Sequence, residues 1–315
     1  MAIQYPINSD YEKALRKGGS IFNTLNDIEL IPSKTHPIKY YTFGAGAYAI
    51  VFKGKVHNKI IALRCFQTSS SSIEERYTKI QNYFSQKKPS WFVECDFIDN
   101  EILVDNHRYP ILKMGWVTGK PLNDYIDGII SNDVALSVLQ KKLIALSNSL
   151  ERYKTGHGDI QTGNVFINEE DGGIKISLVD YDNMYIPELE SIGSKEKGLP
   201  QFQHPARTKS DFNHKVDRFS IWVCVTALEA LKNDKSLWKN KNQGGFNTGE
   251  NMLFEGNDFQ DPVTSSLFKK LINGSNREVA IYAEKLKEYS LLGSLLNIPK
   301  PKLLDGTTSL PDRKS

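Results

Sequence analysis

The stretch HGDIQTGNVFI, His157 to Ile167, sets a carboxylate, Asp159, five residues ahead of an amide, Asn164. Three apolar β-formers follow directly, Val165, Phe166 and Ile167. Taken singly, an Asp or an Asn is an ordinary turn former or helix cap. The neighbours give the pair its meaning. Upstream, DVALSVLQKKLIALSNSLERY has Leu136, Leu139, Leu143 and Leu146 on one side of a helix that runs into HGD. Downstream, NVFI and IKISLVDY read as two short strands around the turn EEDGG. Asp180 ends the second strand, sixteen residues after Asn164. A strand pair of that length returns Asp180 to the cleft that holds Asn164. Together they offer hard oxygen ligands of the kind Mg²⁺ takes, one or two from protein with phosphate oxygens completing the shell. Asp159 is left to accept a proton or orient a nucleophile.

The preceding segment has a different character. From Tyr40 to Val117, the runs YYTF, YAIVFKGKV, KIIALRCF, WFVECDFI, EILVD and YPILKMGWV are rich in β-branched and aromatic residues and bounded by turn signals. One helix interrupts them, IEERYTKIQNYFSQ, with Ile73, Tyr77, Ile80 and Phe84 at helical spacing. FGAGAYAIVFKG lies between two strands. A dinucleotide fold would need a helix there. Gly44 and Gly46 let a ligand approach the backbone with no Cβ in the way, and a plain hairpin is the bland alternative. In IIALRCF, a central strand presents Arg64 from a buried position, where a cation wants an anion. The bland alternative is an edge-strand arginine reaching solvent. Ser69 to Ser72 reads as a turn. IWVCVTAL, Ile221 to Leu228, is the longest apolar run, too short to span a bilayer, and reads as a buried helix.

Composition bounds the reading. The 315 residues suffice for a large domain or two lobes with a core, and 39% hydrophobic content belongs to a folded chain. A net charge of +3 argues neither for nucleic acid nor for a membrane surface. Cys65, Cys95 and Cys224 are scattered and form no CxxC pair, so neither a zinc site nor a disulfide framework is expected, and a cytoplasmic location fits best. MAIQYPINSDYEKALRKGG lacks the apolar run of a signal peptide.

A Gly-rich hairpin, a cation on the third strand, HxDxxxxN and an Asp at the next strand end, in that order, resemble the protein-kinase-like fold over roughly Lys39 to Leu286. GAGAYAIV stands where the family has GxGxxGxV, with Ala49 for the third glycine. IALR stands where it has VAIK, with Arg64 for the lysine, and DYD stands where it has DFG. HGDIQTGNVFI, LVDYDNMYIP, QHPAR, DRFSIWV, SLW and MLFEGNDFQDP look more closely like a group of bacterial kinase-like proteins. That group is typically encoded beside a metal-dependent protein phosphatase and a von Willebrand-type domain protein.

The resemblance implies an α+β, bilobal protein-kinase-like fold, with a small antiparallel β-sheet N-lobe carrying one helix and a mostly α-helical C-lobe. Residues 1–38 would be an N-terminal extension packing on the N-lobe, 39–114 the N-lobe, 115–299 the hinge and C-lobe, and 300–315 a flexible tail. It implies an ATP- and Mg²⁺-dependent Ser/Thr protein kinase with a protein substrate and, by analogy, a partner phosphatase. Asp159 and Arg64 would be catalytic. ATP would meet Gly44, Gly46, Val51, Ala62, Arg64 and Phe166, with Met114 before the hinge and Gly115, Trp116 and Val117 offering backbone bonds to adenine. Asn164 and Asp180 would hold Mg²⁺, with His157 and Asp217 as structural support and Asp217 accepting N–H bonds from the catalytic loop.

Three departures keep alternatives open. Arg64 is planar and forked where the family has a compact lysine, which admits a pseudokinase scaffold. The helix carboxylate that would pair with that cation is not fixed by spacing, with Glu74 and Glu75 as candidates. Gly158 and Gln161 stand where many protein kinases have Arg and Lys. The absence of that Lys is shared with small-molecule phosphotransferases, and an adenylyl transferase on the same fold is open as well.

Overall fold

The computed structural model describes residues 4–35, 38–46, 48–68 and 72–304. Among them are eight α-helices and nine strands, all paired antiparallel, so the chain is mixed α/β of the α+β kind. It divides into two compact units. The first comprises 1–88 and 92–118, the second 89–91 and 119–315. The turn expected at Ser69 to Ser72 falls, for Ser69 to Ser71, outside the described residues, as does the tail from 305 on. No helix among the described residues is long and apolar enough to cross a membrane.

The first unit is built on β1 (Glu29–Ile31), β2 (Thr42–Ala45), β3 (Ala49–Val56), β4 (Lys59–Phe66), β5 (Cys95–Val104) and β6 (His107–Gly115), with α1 (Asn8–Leu15) and α2 (Ile73–Ser85). The order is β1-β3-β4-β6-β5, with β2 also paired to β3. Two hairpins are closed by two-residue turns, His57-Asn58 and Asp105-Asn106, with all four residues at positive φ. That is the twist-matched turn in which Asn and Asp are tolerated. WFVECDFI and EILVD, two runs in the sequence, form the single strand β5, with an irregularity between Ile98 and Ile102 where Asn100 takes φ +52°. Trp91 lies outside that strand. Its backbone and indole bond Leu178 and Ser149, which places it in the second unit.

Period-two alternation gives the sheet two different faces. Ile61, Leu63 and Cys65 of β4 join Ile50, Phe52, Ile102 and Ile111 under α1 and the segment from Ile21 to Ile28. Two buried carboxylates secure that N-terminal layer. Glu12 accepts N–H bonds from Tyr41 and Thr42, and Glu101 accepts them from Thr24 and Leu25. The alternate residues of β4, Ala62 and Arg64, face the opposite side, where Arg64 meets α2.

The second unit holds a three-stranded sheet, β7 (Lys120–Pro121), β8 (Val165–Glu170) and β9 (Gly173–Leu178). Its helices are α3 (Leu122–Ile129), α4 (Asp133–Arg152), α5 (Arg218–Asn233), α6 (Gly256–Gln260), α7 (Ser266–Ile272) and α8 (Arg277–Ser290). Side chains that accept the first free N–H groups start three of them: Asn132 on α4, Ser265 on α7 and Asn276 on α8. Every residue of α5 from Phe219 to Leu231 is buried, so α5 is the axis on which α4 and α8 pack. The chain is anchored as far as Leu304, through Trp222 Nε1 to Pro299 O and Leu304 N–H to the Tyr282 hydroxyl. All three cysteines are buried and free, and burial pushes the Cys95 and Cys224 thiols up to about 12.

Candidate active site

α4 ends at Arg152, and the chain enters a loop that includes HGD, fixed from several directions. His157 and Gly158 donate their N–H groups to the two oxygens of Asp217, at 2.5 and 2.8 Å. Asp217 stands at the N-cap of α5 and is buried. Burial holds its carboxyl above the usual carboxylate range, against the opposing pull of His157, the two N–H donors and the Arg207 guanidinium. Gly158 has φ +76°, and a Cβ there would stand 2.4 Å from the Asn183 carbonyl oxygen. The loop therefore admits no side chain at position 158.

His157 is fully buried and spans the loop and the strand beyond it. Its Nε2 lies 2.9 Å from Val179 O, and its Nδ1 accepts the Asp159 N–H at 3.3 Å. The imidazole thus ties the Asp159 backbone to the strand that leads to Asp180.

The two oxygens of Asp159 are treated differently. Oδ2 accepts from Gln161 Nε2 at 3.0 Å and from Asn164 Nδ2 at 2.9 Å; Asn164 Nδ2 also bonds the Asp159 carbonyl at 3.0 Å. Oδ1 is buried and has no hydrogen-bond partner among the described residues. Such an atom forfeits its solvation and gets nothing back within the chain. It is the carboxylate oxygen left open to a ligand among the described residues.

Asn164 and Asp180 are brought together by register. β8 pairs β9 with Val165 opposite Leu178, and Val179 N–H bonds Asn164 O at 3.0 Å. Asn164 therefore faces Val179, and Asp180 follows at the same end of the hairpin. Asp180 takes φ +64°, a conformation that costs a non-glycine residue on the order of 1–3 kcal/mol and collects at functional positions. Tyr181 anchors the turn with its hydroxyl on Leu178 O at 2.7 Å. Among the described residues no three of His, Cys, Asp or Glu gather as a metal cluster. Asn164 spends its amide hydrogens on Asp159, and its Oδ1 accepts no hydrogen bond among the described residues. An amide oxygen and a carboxylate at one hairpin end fit Mg²⁺, which takes few protein ligands beside phosphate. Phe166, expected against adenine, is half-buried in β8.

In the first unit, strand pairing puts the expected nucleotide contacts on one face. Val51 is opposite Arg64 and Gly44. Arg64 is also opposite Leu112, and Ala62 is opposite Met114. Gly44, Val51, Ala62, Arg64 and Met114 thus share the side away from α1. At Gly44 and Gly46 a Cβ would meet nothing closer than 3.9 Å among the described residues. The packing of the described residues leaves room for a side chain at both positions. Of the hinge candidates, Gly115 and Trp116 already donate their N–H groups, to Glu94 O and Ile60 O. Val117 N–H has no hydrogen bond among the described residues. The Trp116 ring packs on Phe43 and carries Lys53 Nζ 4.3 Å above its centre.

Arg64 is on an interior strand and only 9% exposed, which removes the edge-strand alternative. Its Nη1 donates to the Tyr77 hydroxyl at 2.8 Å. Neither Glu74 nor Glu75 forms an ion pair with it. Both are exposed, and Glu75 pairs with Lys79 at 2.7 Å. Tyr77 is a site residue that sequence reading placed only in the core. Its helical spacing among apolar residues is the signal the sequence carries, and the hydroxyl adds the polar contact. Gly198, Gln203 and Arg207 were also passed over, in a segment with no periodicity. A Cβ on Gly198, at φ +77°, would stand 2.6 Å from Asp159 Oδ1 and 2.7 Å from Gln203 Nε2. Arg207, itself buried, bonds Gln203 Oε1.

No protein-family model matches the chain, and no curated protein matches it.

Proposed function

We propose that the chain has a bilobal protein-kinase-like fold and is an ATP- and Mg²⁺-dependent phosphotransferase, a Ser/Thr protein kinase acting on a protein hydroxyl. One observation carries the reading. Asp159 has one oxygen held by Asn164 and Gln161 and the other buried without a partner, on a loop whose Asn164 shares a hairpin end with Asp180. Phosphoryl transfer needs little covalent chemistry from protein; placing the groups and neutralising charge do most of the work.

Each residue then has a task. Asp159 orients the acceptor hydroxyl and receives its proton on Oδ1. Asn164 and Gln161 fix the carboxylate through Oδ2. Asn164 Oδ1 and the Asp180 carboxylate would hold Mg²⁺, which would supply neutralisation of phosphate charge. Within the first unit, Arg64 would offer its charge to phosphate, and Val51, Ala62 and Met114 would form an apolar face for adenine, with Val117 N–H as donor. The acceptor oxygen bonds to the γ-phosphorus, the bond from that phosphorus to the β–γ bridging oxygen breaks, and ADP departs with the electron pair. Asp159→Asn leaves the contacts on Oδ2 largely possible but removes the proton acceptor. Its ATP-dependent transfer should fall by about 10²–10⁴-fold. Transfer at the wild-type rate would refute the assignment.

A second reading, a pseudokinase scaffold, is favoured by the contact of Arg64 with Tyr77 in place of a helix carboxylate. Arg64→Lys separates the two. Activity gained by the variant and absent from wild type belongs to the scaffold.

A further inference from the structure

In the first unit, α1 and the segment leading into β2 border a cleft of about 780 Å³, a size in the range of small-molecule sites. Lys13 and Arg16 line it from the last turn and C-cap of α1, and Lys34 lines it from the other segment. Tyr40 fixes the place of Lys34. The two residues exchange backbone hydrogen bonds, from Tyr40 N–H to Lys34 O at 2.9 Å and from Lys34 N–H to Tyr40 O at 3.4 Å. The Arg16 guanidinium stands 5.8 Å from the centre of the Tyr40 ring. Among the described residues, none of the three cations forms an ion pair with a carboxylate.

The carboxylate in the lining, Glu12, is already engaged. Its Oε1 accepts Thr42 N–H at 2.8 Å and Tyr41 N–H at 3.0 Å, and the residue is buried. Asn8 Oδ1 lies 2.9 Å from the Thr42 hydroxyl, which leaves the amide hydrogens of Asn8 for the cleft. Cations at a helix C-terminus have an ordinary cause, the negative end of the helix dipole. That cause covers Lys13 and Arg16. It does not cover Lys34, which another segment brings to the same cleft. What faces the cleft is therefore positive charge and hydrogen-bond donors. Glu12 offsets one of the three cations. The two charges left over match a phosphate monoester, which carries about −1.5 to −2 near neutral pH, and the forked guanidinium of Arg16 suits its oxygens. A monocarboxylate answers one charge, and an ammonium is repelled.

We propose that this cleft binds a small molecule bearing a phosphate monoester, with Lys13, Arg16 and Lys34 on the phosphate and Asn8 and Ser9 as neutral donors. The cleft has room for more than the phosphate, so the ester's organic part lies in it as well. None of these residues is among those assigned to nucleotide or metal, so the site stands or falls apart from the phosphotransferase reading. The ligand bridges α1 and the segment entering β2, and its binding stabilises that layer.

Calorimetric titration of the full chain with glycerol 3-phosphate and glucose 6-phosphate, with no nucleotide present, tests this. Wild type should bind, and Lys13→Glu and Lys34→Glu should each weaken binding by about tenfold or more. Both side chains are exposed, so neither change threatens the fold. Lys17→Glu makes the same charge change just beyond α1 but outside the cleft lining, and should weaken binding by less than about twofold at physiological salt. An equal loss in Lys17→Glu would show diffuse attraction in place of a site and overturn the proposal. Succinate, of similar charge without phosphorus, binding as tightly would overturn the phosphate assignment. Binding of a phosphoserine peptide without binding of either ester would overturn the small-molecule class. No heat from either ester at about 10 mM would overturn the site itself.

Discussion

Arg64 Nη1 donates to the Tyr77 hydroxyl across 2.8 Å, tying the interior strand β4 to α2. Arg64 is 9% exposed, and a hydrogen bond from a charged group is worth about 1.5–3 kcal/mol. Tyr77→Phe keeps the ring packing and removes the acceptor. Thermal unfolding should show the variant less stable by about 2 kcal/mol, and calorimetric titration should show weaker binding of Mg²⁺–ATP. A variant equal to wild type in both would mean that the bond does not hold Arg64 in place.

That contact also marks where the sequence stops being legible. HGDIQTGNVFI, the hairpin after it and the buried helix at IWVCVTAL can be read from patterns local to each segment, because period and turn chemistry are written in neighbouring residues. The partner of Arg64 depends on which face of the sheet α2 covers. Spacing put Glu74 and Glu75 away from the apolar side, and the residue that serves is Tyr77 on that side. Gly198 and Gln203 lie in an irregular stretch where only the folded path brings them to Asp159. The joining of two β-runs into β5 depends on Asn100 adopting positive φ, which no alternation reveals.

Asp217 accepts both N–H groups of the loop, so an amide in its place must turn its NH₂ toward one of them. Asp217→Asn should cost about 2–3 kcal/mol. Hydrogen exchange should show His157 and Gly158 amides opening faster while α8 amides keep their protection. Unchanged exchange at those two amides would contradict the role given to Asp217.

Glu101 is fully buried and receives Thr24 N–H, Thr24 Oγ1 and Leu25 N–H. Glu101→Ala strands these donors at about 1–3 kcal/mol each. Limited proteolysis should then cut the variant near Thr24 well before wild type. Equal resistance would show that the apolar contacts of Phe22, Leu25 and Ile28 suffice alone.

Burial lowers the pKa of His204 and His214 from the ordinary 6.5. Below pH 6.5 the unfolded chain takes up these protons before the folded chain does. The stability they contribute is complete above pH 6.5 and is lost as pH falls through their folded values. His204 Nε2 also lies 2.9 Å from the Tyr289 carbonyl oxygen, inside the second unit. Denaturant unfolding should weaken on acidification below pH 6.5, with a shallower slope in His204→Gln. Asp217, whose pKa is raised, acts oppositely: its contribution is present below 3.8 and is lost as pH rises through its folded value. Stability that climbs as pH drops below 6.5 would contradict the histidine assignment.

The central claim, that Asp159, Asn164 and Asp180 form phosphotransfer machinery, is tested most directly by intact-protein mass spectrometry after incubation with Mg²⁺ and ATP, with Asp180→Ala alongside. A phosphoryl-sized gain in wild type that is absent from the variant is the predicted result. An adenylyl-sized gain, or the same gain in both proteins, would contradict it.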